Sequence, residues 1–178
     1  MERIPIREHP YLFDKAAQRV QKALGANVVW LEHIFGLAER ITREINGKKY
    51  VLPNIWTGNN DYMDLMPDSL KGSFSFCYLD EPQSNSDGRM TATMELVVWY
   101  DTRAVDADLR DTERVKAQIL DALDNLGGVT VKAVYDRPSS VYKGFTFDTE
   151  QELALMHPFA GLRVSMDVYV ERDCNPYV

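Results

Sequence analysis

Arg40-Ile41-Thr42-Arg43-Glu44-Ile45, then Asn46-Gly47, then Lys48-Lys49-Tyr50-Val51-Leu52 is the stretch from which the fold can be read. Asn-Gly supplies the two positive φ angles of a type I′ turn, and strand-forming residues flank it on both sides. The pattern predicts a β-hairpin, with Pro53 ending its second strand. Tightly turned strands of this kind build antiparallel sheets.

Working outward, the downstream chain supplies more strands. Phe74, Phe76 and Tyr78 alternate with Ser73, Ser75 and Cys77, and a polar loop or long turn from Asp80 to Arg89 follows. Thr91–Tyr100 places Met94, Leu96, Val98 and Tyr100 on one face and Val97 and Trp99 on the other, so both faces are covered and the strand is central. Val129, Val131, Ala133 and Tyr135 alternate in another strand. In the last, Leu162, Val164, Met166, Val168 and Val170 oppose Arg163, Ser165, Asp167, Tyr169 and Glu171, which predicts one wet face. Between the strands, Val115, Ile119, Ala122, Leu123 and Leu126 form a helical stripe, capped by Asp111 and stopped by Gly127-Gly128.

Upstream, Pro10–Leu24 reads as an N-terminal helix with Gly25 as its stop. Val28–Phe35 is apolar and short, fits a brief helix or a buried strand, and is read here as a helix. Residues 54–72 and the connection Asp136–Pro158 are rich in turn residues, with a short helix at Tyr62–Met66. The layout predicts an α+β fold: a largely antiparallel sheet, an amphipathic helix packed on one face, and an N-terminal helix. Its strands do not alternate regularly with helices, which disfavours a doubly wound nucleotide-binding fold.

At 178 residues the chain fits one domain, 1–178, and its 45% hydrophobic, 26% charged composition is that of an ordinary globule with a self-sufficient core. No apolar run approaches the roughly 20 residues of a membrane helix. The start lacks the apolar stretch of a secretory signal, so a cytosolic protein without a membrane partner is expected. Cys77 and Cys174 lack metal-ligand spacing; both are expected reduced, Cys77 as a small buried hydrophobe, with a disulfide between them left open. Formal charge totals −7, distributed as net +3 over residues 1–50, −8 over 51–128 and −2 over the rest. That balance argues against duplex nucleic acid as a specific ligand, because phosphate neutralisation needs a concentrated basic face. Opposite patches could meet across subunits; scattered charge on a monomer is the plainer reading.

Reactive groups are sparse. No GxGxxG, phosphate loop, HExxH or GxSxG motif is present, and His9, His33 and His157 are dispersed, each better read as structural. Carboxylates concentrate in Asp61–Asp68 and Asp106–Glu113, but neither run has calcium-loop spacing, and helix capping or turn formation explains both more simply. Ile55-Trp56, Tyr62-Met63 and Leu65-Met66 bring unusual apolar weight to a segment read as loop. Trp56, Tyr62, Met63 and Met66 are therefore candidate interface anchors or satellite core, and Lys48 and Lys49 are candidate interface cations at the hairpin tip.

The arrangement of these elements resembles the tail terminator, or tail-completion, proteins of tailed bacteriophages and related prophages. The resemblance is carried by Pro10–Leu24, Thr91–Tyr100, Thr112–Leu126 followed directly by Val129–Tyr135, and a closing strand introduced by Leu155-Met156-His157-Pro158-Phe159-Ala160-Gly161-Leu162-Arg163. Tyr50-Val51-Leu52-Pro53-Asn54-Ile55-Trp56-Thr57-Gly58-Asn59 is similar to prophage proteins of this kind. It covers most of the chain as a pattern of elements, while residues 54–72 and 136–158 make this chain bulkier than a minimal member. The resemblance implies a virion structural protein with no enzymatic activity and no cofactor. Such a protein assembles in the bacterial cytoplasm as a homo-oligomeric ring, typically of about six subunits, joining the tail tube to the head-side connector proteins. Two other readings stay open: a neck or baseplate adaptor, and a small cytosolic enzyme or ligand-binding protein with a pocket near Trp56 and Tyr62.

Overall fold

The computed structural model describes residues 3–58, 61–65, 72–84, 88–103, 112–146 and 158–171. Its elements are α1 (Phe13–Asn27), β1 (His33–Leu37), β2 (Glu39–Ile45), β3 (Lys48–Gly58), β4 (Asp61–Asp64), β5 (Ser73–Ser84), β6 (Arg89–Asp101), α2 (Thr112–Leu123), β7 (Val129–Tyr135), α3 (Pro138–Val141) and β8 (Phe159–Glu171). They form a five-stranded sheet in the order β1-β5-β6-β8-β7 and a three-stranded sheet in the order β2-β3-β4. Every pairing is antiparallel except β1 with β5. The fold is α+β, as the layout of the sequence predicts.

Alternation along β6 sets up two cores. Met94, Leu96, Val98 and Tyr100 face the helices, where they meet Leu162, Val164, Met166 and Val168 of β8, the α1 stripe Phe13, Ala16, Ala17, Val20 and Leu24, and Val115 and Ile119 of α2. Val97 and Trp99 face the other way, into a second core with Phe74, Phe76 and Tyr78 of β5, Ile55 and Leu65 of the small sheet, and Val141 and Tyr142 at α3. The large sheet is thus covered on both faces: by α1 and α2 on one, by the small sheet and α3 on the other. Its middle strand is β6, the position its two-sided apolar pattern demands.

The hairpin forms as its sequence dictates, with Asn46 at φ 52° and Gly47 at φ 75° between Ile45 and Lys48. Several expectations are corrected. Val28–Phe35 is not a helix: a turn at Val28–Leu31 leads into β1, where Ile34 enters the first core and Phe35 the second, which only alternating strand geometry allows. Pro53 does not end β3. Its carbonyl accepts from the Leu65 N–H on the β4 side, so its missing donor also faces that side, at the end of β4, and the β2–β3 ladder loses nothing. Tyr62 and Met63 therefore lie in a strand rather than a helix, with Trp56 opposite Tyr62 and Ile55 opposite Met63.

Smaller corrections follow from packing. Much of the expected Asp80–Arg89 loop is ladder, since β5 runs on to Ser84 and β6 begins at Arg89. α1 begins at Phe13, after Leu12 at φ 43°, and runs past Gly25, whose missing side chain makes room for Ile4. α2 stops at Leu123, before the glycine pair, with Asn125 at φ 61°. A bulge between Val131 and Ala133 resets β7, so Val134 rather than Ala133 joins Val129 and Val131 against the core. The second face of β8 is wet only in part, because Arg163 and Ser165 are buried. Asp68, Asp106, Asp108, the capping Asp111, His157 and Cys174 lie outside the described residues.

Candidate functional site

β3 and β4 set Trp56 and Tyr62 side by side on the small sheet, where the N-terminal segment meets them. The Arg7 guanidinium carbon lies 5.6 Å from the Trp56 ring centre and 5.7 Å from that of Tyr62. One nitrogen donates to the Tyr62 hydroxyl at 2.9 Å, and another lies 3.2 Å from the Asp14 carboxylate in the first turn of α1. Gln18 of α1 fixes the backbone by donating to the Arg7 carbonyl at 2.6 Å. A cation held over two aromatic faces and tied to a carboxylate is a stable clasp between the N-terminal segment and the small sheet.

Beneath Arg7, Trp56, Gln18, Gln21 and Gly36 enclose a cavity of about 10 Å³. That is room for about one water molecule and no substrate. The nearby carboxylates are occupied: Asp61 accepts from the Tyr62 N–H at 2.9 Å, while Asp64 accepts from Asn54 at 2.8 Å and pairs with Arg43 at 3.1 Å. Among the described residues no group of His, Cys, Asp and Glu has the arrangement of a metal centre.

The candidate interface residues divide. Tyr62 is 46% exposed and Trp56 half-buried, while Met63 turns to the opposite face and packs on the second core. The apolar weight of this segment is thus partly satellite core, with Ile55 and Leu65 fully buried. Met66 lies outside the described residues. Lys48 and Lys49 are exposed at the hairpin tip. Eight residues of strand separate Lys48 from Trp56, a span of about 27 Å, so the cations and the aromatic pair form two separate surfaces. Every residue from Thr42 to Lys49 is exposed, so this end of the hairpin meets solvent on both faces.

One polar cluster was invisible to motif searching. On the face of the large sheet turned to α3, the Arg163 guanidinium lies 2.8 Å from the Glu95 carboxylate, with both side chains about 95% buried. That contact lies off the line of an ideal hydrogen bond. Ser165, opposite Glu95 in the ladder, donates to its other oxygen at 3.0 Å. Arg163 also donates to the Ser140 carbonyl at 2.6 Å and sits 4.0 Å from the Tyr135 ring centre. Burial, reinforced by the Glu95 charge and opposed by that of Arg163, pushes the neighbouring Tyr78 hydroxyl up to about 12. The available signal was a glutamate in the middle of an apolar central strand, since a charge there requires a partner. Sequence alone does not align Glu95 with Ser165 and Arg163.

Cys77 is buried in the first core, and burial pushes its thiol up to about 12, as for a structural hydrophobe. No helix of the described chain is long and apolar enough to cross a membrane. No protein-family model matches this chain, and no curated protein matches it in sequence.

Proposed function

We propose that the chain is a structural subunit of a phage or prophage tail, similar to a tail terminator. It forms a ring at the head-proximal end of the tail tube and meets head-side connector proteins there. The observation that carries the reading is the free end of the β2–β3 hairpin, exposed from Thr42 to Lys49. A two-stranded ribbon in water is marginal on its own, and a neighbouring subunit supplies the missing cover. Lys48 and Lys49 give its tip a positive charge on a chain of net charge −7, which suits the heterologous contacts of a cyclic ring. The cavity beside Trp56, at about 10 Å³, has no room for a ligand, which favours an assembly role over a ligand pocket at that place.

Light scattering across a concentration series, with negative-stain images of the largest species, tests the reading. A closed ring of about six subunits is expected, and Lys48→Glu with Lys49→Glu is expected to abolish it without changing the circular dichroism spectrum. A chain that stays monomeric both alone and with purified tail tubes refutes it.

A further inference from the structure

β2 lies at the margin of the small sheet, and among the described residues no strand pairs with its outer side. Which backbone groups face outward follows from Pro53. Its carbonyl points to the β4 side, so Pro53 and Arg40 form a non-hydrogen-bonded pair of the β2–β3 ladder. The ladder runs without a bulge, so Thr42 and Glu44 share that parity. The two-residue turn agrees, since it closes on Ile45 and Lys48, the opposite parity. Arg40, Thr42 and Glu44 therefore point their N–H and C=O groups away from β3, on the side where Ala38, just before β2, donates to the Cys77 carbonyl of β5 at 2.7 Å.

We propose that two copies of this chain associate through β2, antiparallel about a two-fold axis at Thr42. Thr42 of each copy then faces Thr42 of the other, and Arg40 faces Glu44 of the second copy on both sides of the axis. All three positions are hydrogen-bonded pairs in this register, each exchanging two N–H···O bonds, and the cross-strand charges are opposite. Moving the register by one residue in either direction turns outward groups against inward ones, and in one direction it also sets Arg40 against Arg43 and Glu39 against Glu44, like against like.

Charged residues on an edge often serve to prevent pairing, and edge charges of one sign repel a second copy of the same edge. Here Arg40-Ile41-Thr42-Arg43-Glu44 holds opposite signs at equal distances from Thr42, which makes the edge its own complement. The proposed register also spares Arg43, already bound to Asp64, and leaves Arg40 its bonds to the Leu79 and Asp80 carbonyls and its longer contact, 4.0 Å, with the Asp80 carboxylate. This contact is isologous, whereas a ring is closed by heterologous contacts, so it goes beyond the ring reading and does not depend on it.

Sedimentation from about 1 to about 500 µM, the range suited to a small transient interface, tests it. The wild-type species is expected to double in mass with concentration, from chain to pair or from ring to pair of rings. Thr42→Pro removes the central outward N–H and leaves the β2–β3 ladder intact; Thr42→Lys sets two ammonium groups against each other at the axis. Each is expected to weaken the doubling at least about tenfold, the scale of a single lost interfacial contact, while Thr42→Val preserves it. Should Thr42→Pro disturb folding, Thr42→Lys at an exposed site carries the comparison. A wild-type chain that never doubles overturns the inference, as does a doubling indifferent to both variants. A ring that forms and ignores Thr42 overturns this inference and keeps the ring reading; a doubling chain that never closes a ring does the reverse.

Discussion

Replacing Arg163 with Met removes the positive charge facing the buried Glu95 carboxylate, and the consequence can be estimated. Glu95 keeps the Ser165 hydroxyl at 3.0 Å but loses the guanidinium at 2.8 Å, in a site about 95% buried. Breaking a buried pair by deleting one partner costs about 3–5 kcal/mol, because the remaining charge is left uncompensated. The lost bond to the Ser140 carbonyl and the lost contact with Tyr135 add to the same figure rather than opposing it. Total stability of a domain is about 5–15 kcal/mol, so the variant folds but is fragile. In urea, with a slope of about 2 kcal/mol/M, the midpoint falls by about 1.5–2.5 M. Fluorescence of buried Trp99, on the same face of the sheet, and far-ultraviolet circular dichroism should report the same transition. The decisive comparison is Glu95→Leu with Arg163→Met: removing both charges together should recover most of the loss, to within about 1–2 kcal/mol of wild type. A single variant costing less than about 1 kcal/mol, the value of an exposed pair, would refute the burial argument, and so would a double variant as unstable as the single.

Three further outcomes follow from burial and backbone geometry. Cys77, with burial holding its thiol at about 12 against an ordinary 9, should resist thiol reagents at pH 8 in a Cys174→Ser background until the chain is unfolded. The sign for stability is that of a group with a raised folded pKa: its contribution is intact below about 9 and is lost as pH rises toward about 12, so alkaline titration should lower the urea midpoint over that window. Gly128→Ala should cost about 1–3 kcal/mol in urea unfolding, because φ is 78° there and a Cβ would meet the Tyr169 carbonyl and the Arg19 guanidinium at 3.1 Å; an unchanged midpoint would refute that.

Where local chemistry and tertiary packing agree, the sequence is legible. Asn46-Gly47 specifies its hairpin through dihedral angles alone, and β6 and β8 announce their faces by period-two alternation. Legibility fails where a partner decides. Ile34 and Phe35 read as helix or strand until two cores exist to receive them. Pro53 reads as a terminator unless it is known that its nitrogen faces the end of β4. The bulge in β7 shifts the expected face by one residue with no marker in Val131-Lys132-Ala133. The candidate interface was half readable for the same reason: composition singled out Trp56, Tyr62 and Met63, but only the β3–β4 register sends Met63 inward and brings Arg7 over the other two. The Glu95–Arg163 pair joins strands nearly seventy residues apart, beyond the reach of any local signal.

The parallel contact between β1 and β5 has a consequence for the order of assembly. The chain leaving β1 at Leu37 passes through the whole small sheet before it returns as β5 at Ser73, so that sheet occupies the place a crossover helix holds in a β-α-β unit. Closing so long a connection is entropically costly until the contacts within it have formed, whereas only four residues of sequence separate β5 from β6. The expected order is that the large sheet grows outward from β5 and β6 and that β1, whose Ile34 N–H is bonded to the carbonyl of Arg3 on its outer side, is added late. Amide exchange should bear the imprint of this history. Leu96 and Val164 should exchange only through global opening, and Ile34 through a smaller excursion in which β1 and the N-terminal segment lift away together.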